Sequence, residues 1–118
     1  MELPKLTYNA AAYYAEAEKY PQGILKAISS GDRDGFEAIC WALSEFSTQT
    51  ELIRRDMGYE KRPILTPEYF SLRLSFPEMV AARAAIINAV FKGMDLENED
   101  EEVDEVLLEL QKKTESKE

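Results

Sequence analysis

The longest pattern of apolar residues lies in the middle of the chain and predicts one long amphipathic helix. From position 36 to position 57, side chains of one stripe recur every three or four residues, the spacing of one side of an α-helix: Phe36, Ile39, Cys40, Leu43, Phe46, Thr50, Ile53 and Met57. We expect this helix to run from about Arg33 to Met57, with Asp32 or Asp34 as its cap and Gly58 at its end.

The central helix is also apolar on a second side, where Trp41 and Leu52 lie eleven residues apart. A helix with two apolar sides is normally enclosed by neighbouring helices or shared with a partner. The polar segment 47–50 (Ser-Thr-Gln-Thr) lowers helix propensity midway and predicts a bend.

Two shorter helices are predicted before the central one. The alanine-rich segment 8–20 favours a helix that begins at Thr7 or Asn9 and ends at Pro21. A second, over residues 24–29, should end at Gly31 in the left-handed conformation.

Two more helices are predicted after the loop of residues 58–65. Thr66 and Pro67 are typical of a helix start, here for residues 67–74, and Ser75 with Glu78 has the spacing of a capping box that opens the next helix. Gly93 should stop that last helix. In that helix the alanines at 81, 82, 84 and 85 should admit another helix closely, and six apolar residues are predicted to face one way: Met79, Val80, Ile86, Ile87, Val90 and Phe91.

The C-terminal region has a different composition from the rest. Residues 1–94 carry a net charge of −1 and residues 95–118 a net charge of −8. After the acidic run, apolar residues return at helical spacing at Val103, Val106, Leu107 and Leu110. No segment alternates like a strand. We therefore predict an all-α protein, a compact bundle of about five helices over residues 1–94, followed by an acidic linker and short terminal helix over 95–118.

Charge and residue usage exclude several functions. The acidic balance argues against nucleic-acid binding. An EF-hand loop starting at Asp95 would need glycine and glutamate where Asp100 and Val106 stand, so no calcium site of that type is expected. The acidic run is then either a solvated linker or a partner-docking segment.

Catalytic chemistry has no candidate in the sequence. The chain has no histidine and one cysteine, Cys40, which excludes an internal disulfide, cysteine/histidine zinc sites and histidine-based triads. Glu45 and Glu51 are six residues apart and do not share a helix side. We expect a non-enzymatic protein without cofactor or metal. Neither a membrane-spanning run nor a signal peptide is recognisable, so a cytoplasmic location is expected.

The densest polar cluster lies at the end of the central helix and comprises Glu51, Arg54, Arg55 and Asp56, followed by Gly58 and Tyr59. One interpretation is a helix terminus with ordinary ion pairs, since Glu51 and Arg55 are four residues apart. The other is a recognition patch, because arginine and tyrosine are favoured at binding hot spots. Trp41 is similarly open, as a core residue or as part of a contact surface.

Three stretches resemble known proteins. Leu6-Thr-Tyr-Asn-Ala-Ala-Ala and Phe36-Glu-Ala-Ile-Cys-Trp-Ala-Leu resemble the tail assembly chaperones of long-tailed phages and prophages. The stretch from Gln49 to Tyr59, followed by Ile64-Leu-Thr-Pro-Glu, looks like small prophage proteins of Gram-positive bacteria.

The resemblance implies a helical protein that self-associates and coats the elongated, helical tape-measure protein before the tail tube forms around it. It would place Trp41, Glu51, Arg54, Arg55 and Tyr59 at or beside the contact surface. The alternative from the residues alone is a generic helical adaptor or regulatory module that docks a partner through its acidic tail.

Overall fold

The structure, a computed structural model, describes residues 1–94. Most of these residues lie in helices. Those residues contain five α-helices and no strand: α1 (Ala10–Lys19), α2 (Ile24–Ile28), α3 (Arg33–Asp56), α4 (Pro67–Ser71) and α5 (Phe76–Gly93). The prediction of an all-α bundle of about five helices is confirmed. The predicted acidic linker and terminal helix lie outside the described residues.

Short polar side chains begin four of the five helices, because each accepts a hydrogen bond from a backbone N–H that has no partner within its helix. These caps are Asn9, Asp32, Thr66 and Ser75. Of the predicted alternatives, Asn9 rather than Thr7 and Asp32 rather than Asp34 form the caps. Ser75 and Glu78 form the predicted capping box in full.

The glycines at the helix ends serve two purposes. Gly58 has a φ of 94° and closes α3, as predicted. Gly31 does not adopt the left-handed conformation, so that prediction is wrong. Helix α2 ends at Ile28, and the backbone of its C-cap residue, Ser29, stays in the right-handed helical region. Gly93 is the last residue of α5, and a Cβ there would lie 1.9 Å from the carbonyl oxygen of Tyr8. It therefore allows close approach of the N-terminal segment rather than a left-handed turn.

Helix α3 is the centre of the bundle and contacts each of the other four helices. Its buried residues run from Gly35 to Glu51, so neighbouring helices cover this part of α3, which is one of the two arrangements expected for a helix with two apolar sides. The seven largest fully buried side chains come from α2, α3, α4 and α5: Ile24, Ile28, Ile39, Leu43, Phe46, Phe70 and Ile86.

Helix α3 runs without interruption through the polar residues 47–50, where the sequence predicts a bend. These residues receive the N-terminal segment. The backbone N–H of Thr7 donates to the Phe46 carbonyl at 3.1 Å, and the Thr50 hydroxyl donates to the Lys5 carbonyl at 3.0 Å. The Asn9 amide donates to the Gln49 side chain at 3.1 Å. Polar side chains in mid-helix thus satisfy the backbone of an irregular segment packed against it.

Candidate protein-binding surfaces

The predicted cluster at the end of α3 assembles around the carboxylate of Glu51, which is buried. Its Oε1 accepts from Arg54 at 2.8 Å, and its Oε2 accepts from Arg55 at 2.9 Å. The backbone N–H of Arg62 donates to the same Oε2 at 2.7 Å. The two arginines also donate to carbonyls of the following loop, Arg54 to Glu60 and Arg55 to Arg62. Glu51, Arg54 and Arg55 therefore tie the loop 59–65 to α3, and we call them the Glu51 clasp.

The electrostatics of the clasp suit this structural role. The Arg62 backbone N–H, aided by the Arg55 and Arg54 guanidinium groups, lowers the pKa of Glu51 to about 2. The carboxylate is therefore ionised at neutral pH, and each of its oxygens has a hydrogen-bond donor. Hydrogen bonds to a charged group are among the stronger ones in proteins. Because these hydrogen bonds and burial engage the Glu51 carboxylate within the fold, it has little capacity to bind another molecule.

Tyr59 stands at the outer edge of the clasp because of the way α3 ends. The N–H of Gly58 donates to the Arg55 carbonyl and that of Tyr59 to the Arg54 carbonyl, which together form a Schellman motif. The Tyr59 ring then lies against the Arg54 guanidinium, 5.3 Å from its central carbon, and is 58% exposed. Of the predicted binding residues, Tyr59 is the one with most of its surface in solvent.

Trp41 does not join the other four predicted residues. It precedes Glu51 by ten residues, about 15 Å along the axis of α3. Its ring makes edge contacts with Tyr20 at 5.4 Å and Phe46 at 6.3 Å between centroids, and it is half-buried against the core. The structure thus brings together Glu51, Arg54, Arg55 and Tyr59, and places Trp41 in a separate aromatic cluster.

The C-terminal end of α3 exposes the apolar stripe that is buried nearer its centre. Phe46 is fully buried, whereas Ile53 is 41% and Met57 66% exposed on the same side of the helix. Leu52, on a neighbouring side, is also exposed. We call Leu52, Ile53 and Met57 the α3 overhang. The sequence stripe is therefore longer than the core that covers it.

A larger apolar surface lies along α5. Six residues spaced three or four apart line one side of this helix and its C-cap, and we call them the α5 flank: Phe76, Val80, Ala84, Ile87, Phe91 and Met94. Phe76 is 84% and Val80 63% exposed. The flank spans 18 residue steps, about 27 Å at 1.5 Å per residue. It carries no charged side chain.

The prediction that the six apolar residues of α5 face one way is wrong, because Ile86 and Val90 are buried whereas Val80 and Ile87 are exposed. Phe91 is half-buried. The side of α5 that faces the core consists instead of residues on a neighbouring arc: Met79, Ala82, Ile86, Ala89 and Val90. Of the alanines expected to admit another helix, Ala82 is buried and Ala84 lies on the exposed flank. Apolar residues occupy two adjacent sides of α5, so spacing alone did not separate the core side from the exposed one.

The N-terminal end of the α5 flank borders a groove. Asp32 and Arg33 are among its lining residues. The apolar side chains that line it come from α3 and the α4–α5 corner: Phe36, Leu74, Phe76, Pro77 and Met79. Its volume is about 660 Å³. A pocket of this size and composition accommodates an apolar side chain of a partner.

Two further side chains of types that often take part in catalysis, those of Glu16 and Cys40, are buried within the fold. The buried carboxylate of Glu16 accepts from the Tyr8 hydroxyl and, at 2.7 Å, from the Ile24 backbone N–H at the start of α2. Burial, with the hydrogen bond to Glu16 as the second cause, raises the pKa of Tyr8 above its ordinary value. Cys40 is buried, and burial raises its thiol pKa to about 11, which keeps it protonated and unreactive at neutral pH.

The described residues offer no metal site and no membrane-crossing element. Within positions 1–94, no three acidic or cysteine side chains are grouped so that they could hold a metal ion. In the same range, no helix has both the length and the apolar character needed to cross a membrane. Comparison with known proteins identified no relative: no family model, no curated protein and no solved structure matches the chain.

Proposed function

We propose that this chain is a cytoplasmic, non-enzymatic protein-binding protein that self-associates and binds an elongated helical partner, as phage tail assembly chaperones do. The observation that supports it best is the α5 flank. An apolar strip about 27 Å long at 1.5 Å per residue is costly to leave in water. Large exposed apolar patches on a folded domain are typical of protein interaction sites.

The shape of the α5 flank favours a helical partner. Its residues form a straight row with helical spacing, and a second helix packs on such a row by inserting its own side chains between them. Ala84, near the middle of the row, leaves room for close approach. The groove beside Phe76 offers a socket for one larger side chain at the end of the row.

A second apolar surface supports self-association alongside partner binding. The α3 overhang belongs to a different helix and follows the α3 stripe rather than the α5 flank. A protein that coats an elongated partner must contact both that partner and its own copies. Two separate apolar surfaces suit those two contacts.

A catalytic role has less support. The chain has no histidine, its one thiol is buried, and the buried carboxylates of Glu16 and Glu51 already accept hydrogen bonds within the fold. None of these groups is free to act on a substrate. A binding role needs none of them.

The test compares charged substitutions on two sides of α5 in the full chain. We expect size-exclusion chromatography with light scattering to show oligomers of the unaltered protein that grow with concentration. Phe76→Glu and Val80→Glu should reduce both these oligomers and co-purification with a tape-measure fragment. Ala81→Glu, exposed on another side of α5, is the matched control and should behave like the unaltered chain.

Two results would contradict the proposal. One is a strict monomer at all concentrations that also fails to bind the tape-measure fragment. The other is an equal effect of Val80→Glu and Ala81→Glu, because binding would then not involve the α5 flank. A neighbouring gene that encodes a very long helical protein would support the proposal independently.

A further inference from the structure

Helix α3 has an apolar recess at its beginning and an apolar protrusion at its end. The groove beside Phe76 lies against the first turn of α3, where Arg33 and Phe36 line it. The α3 overhang occupies the last turn and the C-cap, and its most exposed member, Met57, is 66% exposed. Phe36 and Met57 are separated by about 30 Å of continuous helix at 1.5 Å per residue. A copy therefore cannot place its own overhang in its own groove.

The two surfaces are complementary in shape. The groove is a recess of about 660 Å³ with five apolar side chains in its lining. The overhang projects from the bundle, because α3 continues beyond Glu51, the last of its buried residues. Met57 is unbranched and flexible, the kind of side chain that fills an irregular apolar space. Its insertion into such a groove removes apolar surface of both partners from water, which favours association.

The two ends of α3 also carry net charges of opposite sign. Residues 32–37, at the groove, include one arginine against three acids, giving a net charge of −2. Residues 51–62, at and after the overhang, include four Lys/Arg against three acids, giving +1. Contacts of groove with groove or overhang with overhang bring like charges together, whereas overhang on groove pairs opposite charges. Complementarity of this kind sets orientation and specificity more than affinity.

We infer that the α3 overhang of one copy of this chain inserts into the groove of a second copy, with Met57 as the inserted side chain. The inference deepens the proposed self-association and rests on it. Because the contact joins two different surfaces, each copy at the end of an assembly keeps a free groove or a free overhang. Copies therefore add head to tail, into a ring or an open row, instead of stopping at a dimer.

This contact leaves most of the α5 flank for another partner. The groove includes Phe76 but no other member of the flank. The part of the row from Val80 to Met94 therefore stays available when a second copy fills the groove. Self-association and binding of an elongated helix then use neighbouring surfaces and do not compete.

Mixing two defective variants of the full chain tests the contact. Phe76→Glu places a charge in the groove and leaves the overhang intact, and Met57→Glu does the reverse. We expect each variant alone to be a monomer at a concentration at which the unaltered protein forms oligomers. An equal mixture should form a one-to-one dimer, about twice the monomer mass by light scattering, because it retains one intact groove and one intact overhang. Growth should stop there, since the two remaining surfaces are both defective.

Two controls accompany the mixture. Ala81→Glu adds the same charge on another side of α5 and should form oligomers like the unaltered protein. A chain that carries both Phe76→Glu and Met57→Glu should bind neither single variant. Circular dichroism and urea unfolding establish that each variant is folded.

A cysteine pair tests the same contact without adding a charge. Met57→Cys mixed with Phe76→Cys, in the presence of diamide, should form a disulfide-linked heterodimer on the order of tenfold faster than Met57→Cys mixed with Ala81→Cys. The reason is that docking raises the effective concentration of the first pair only. Cys40 is buried, and each variant alone controls for its participation.

Three results would overturn the inference. A mixture that stays monomeric, or equal cross-linking rates for the two cysteine pairs, would show that the overhang does not enter the groove. Dimers of either glutamate variant alone would show that like surfaces pair, and the proposed function would then stand, because the unaltered chain still associates. A monomeric unaltered chain also overturns the inference, whereas the proposed function fails only if the tape-measure fragment does not bind either.

Discussion

In the Glu51 clasp and in the α5 flank, the type of residue suggests one role and the fold assigns the opposite one. The clasp has the charged residues that usually suggest recognition, yet its hydrogen-bonding groups are turned toward the loop 59–65. The flank has the apolar residues that usually suggest a core, yet Phe76 and Val80 are mostly exposed. Whether a group is available for binding therefore depends on which of its interactions the fold already satisfies.

The largest expected effect on stability comes from truncating a buried phenylalanine, and the same truncation on the α5 flank should have little effect. Phe70 is fully buried and Phe76 is 84% exposed. Phe70→Ala should lower the free energy of unfolding by about 4 kcal/mol, because it leaves a cavity. Phe76→Ala should change it by less than about 0.5 kcal/mol but reduce self-association. Urea unfolding and light scattering measure the two quantities. A large loss of stability in Phe76→Ala would show that the flank belongs to the core.

A second prediction concerns the contact that holds the end of α5 in place. A methyl group on Gly93 would clash with the carbonyl oxygen of Tyr8, so Gly93→Ala should cost about 2 kcal/mol of stability, as over-packing does. Gly31→Ala is the control, since nothing lies within 4 Å of a Cβ there and its φ is not positive. Equal denaturation midpoints for the two variants would argue against the close approach of Tyr8 to α5.

The clasp should affect stability in a pH-dependent way. The pKa of Glu51 is lowered from its ordinary value of 4.5 to about 2, so its ionised form favours the folded state. This contribution is complete above pH 4.5 and is lost as the pH falls toward 2. The stability difference between the unaltered protein and Glu51→Gln should therefore be largest at neutral pH and shrink below pH 4.5. A difference that stays constant down to pH 2, measured by urea unfolding, would contradict the role of the carboxylate charge.

The same variant sharpens the comparison between the two regions. Because the clasp binds a loop of its own chain, Glu51→Gln should leave self-association unchanged under conditions where the protein stays folded. Loss of association in Glu51→Gln, with an unaltered circular dichroism spectrum, would indicate that the clasp is itself a binding site.

The smallest effect on stability is expected at the α3 overhang. Met57 is 66% exposed, so Met57→Lys should shift the free energy of unfolding by no more than about 0.5 kcal/mol. It should nonetheless weaken self-association if the overhang is one of the two contact surfaces. Asp56→Asn, which changes the net charge by the same +1 at the neighbouring exposed position, is the control for charge alone. Identical light-scattering profiles for both variants would remove the overhang from the proposed interface.

The sequence by itself determined the number of helices in residues 1–94, their order and most of their boundaries. Caps such as Asn9, Thr66 and Ser75 act on backbone groups three residues away, and the backbone N–H of Gly58 donates to a carbonyl three residues back at the end of α3. Such signals are local, and a reader of the sequence sees both partners of each interaction.

Only the tertiary structure decided which residues are free to bind. The Arg62 backbone N–H that occupies Glu51 is eleven residues away, and the contact between Tyr8 and Gly93 joins opposite ends of the described chain. Residues 47–50 illustrate the same point, since Gln49 and Thr50 form hydrogen bonds with the N-terminal segment, which is distant in sequence. Periodicity marks the apolar sides of a helix, but which side is buried depends on contacts between distant residues, and these arise only when the helices pack.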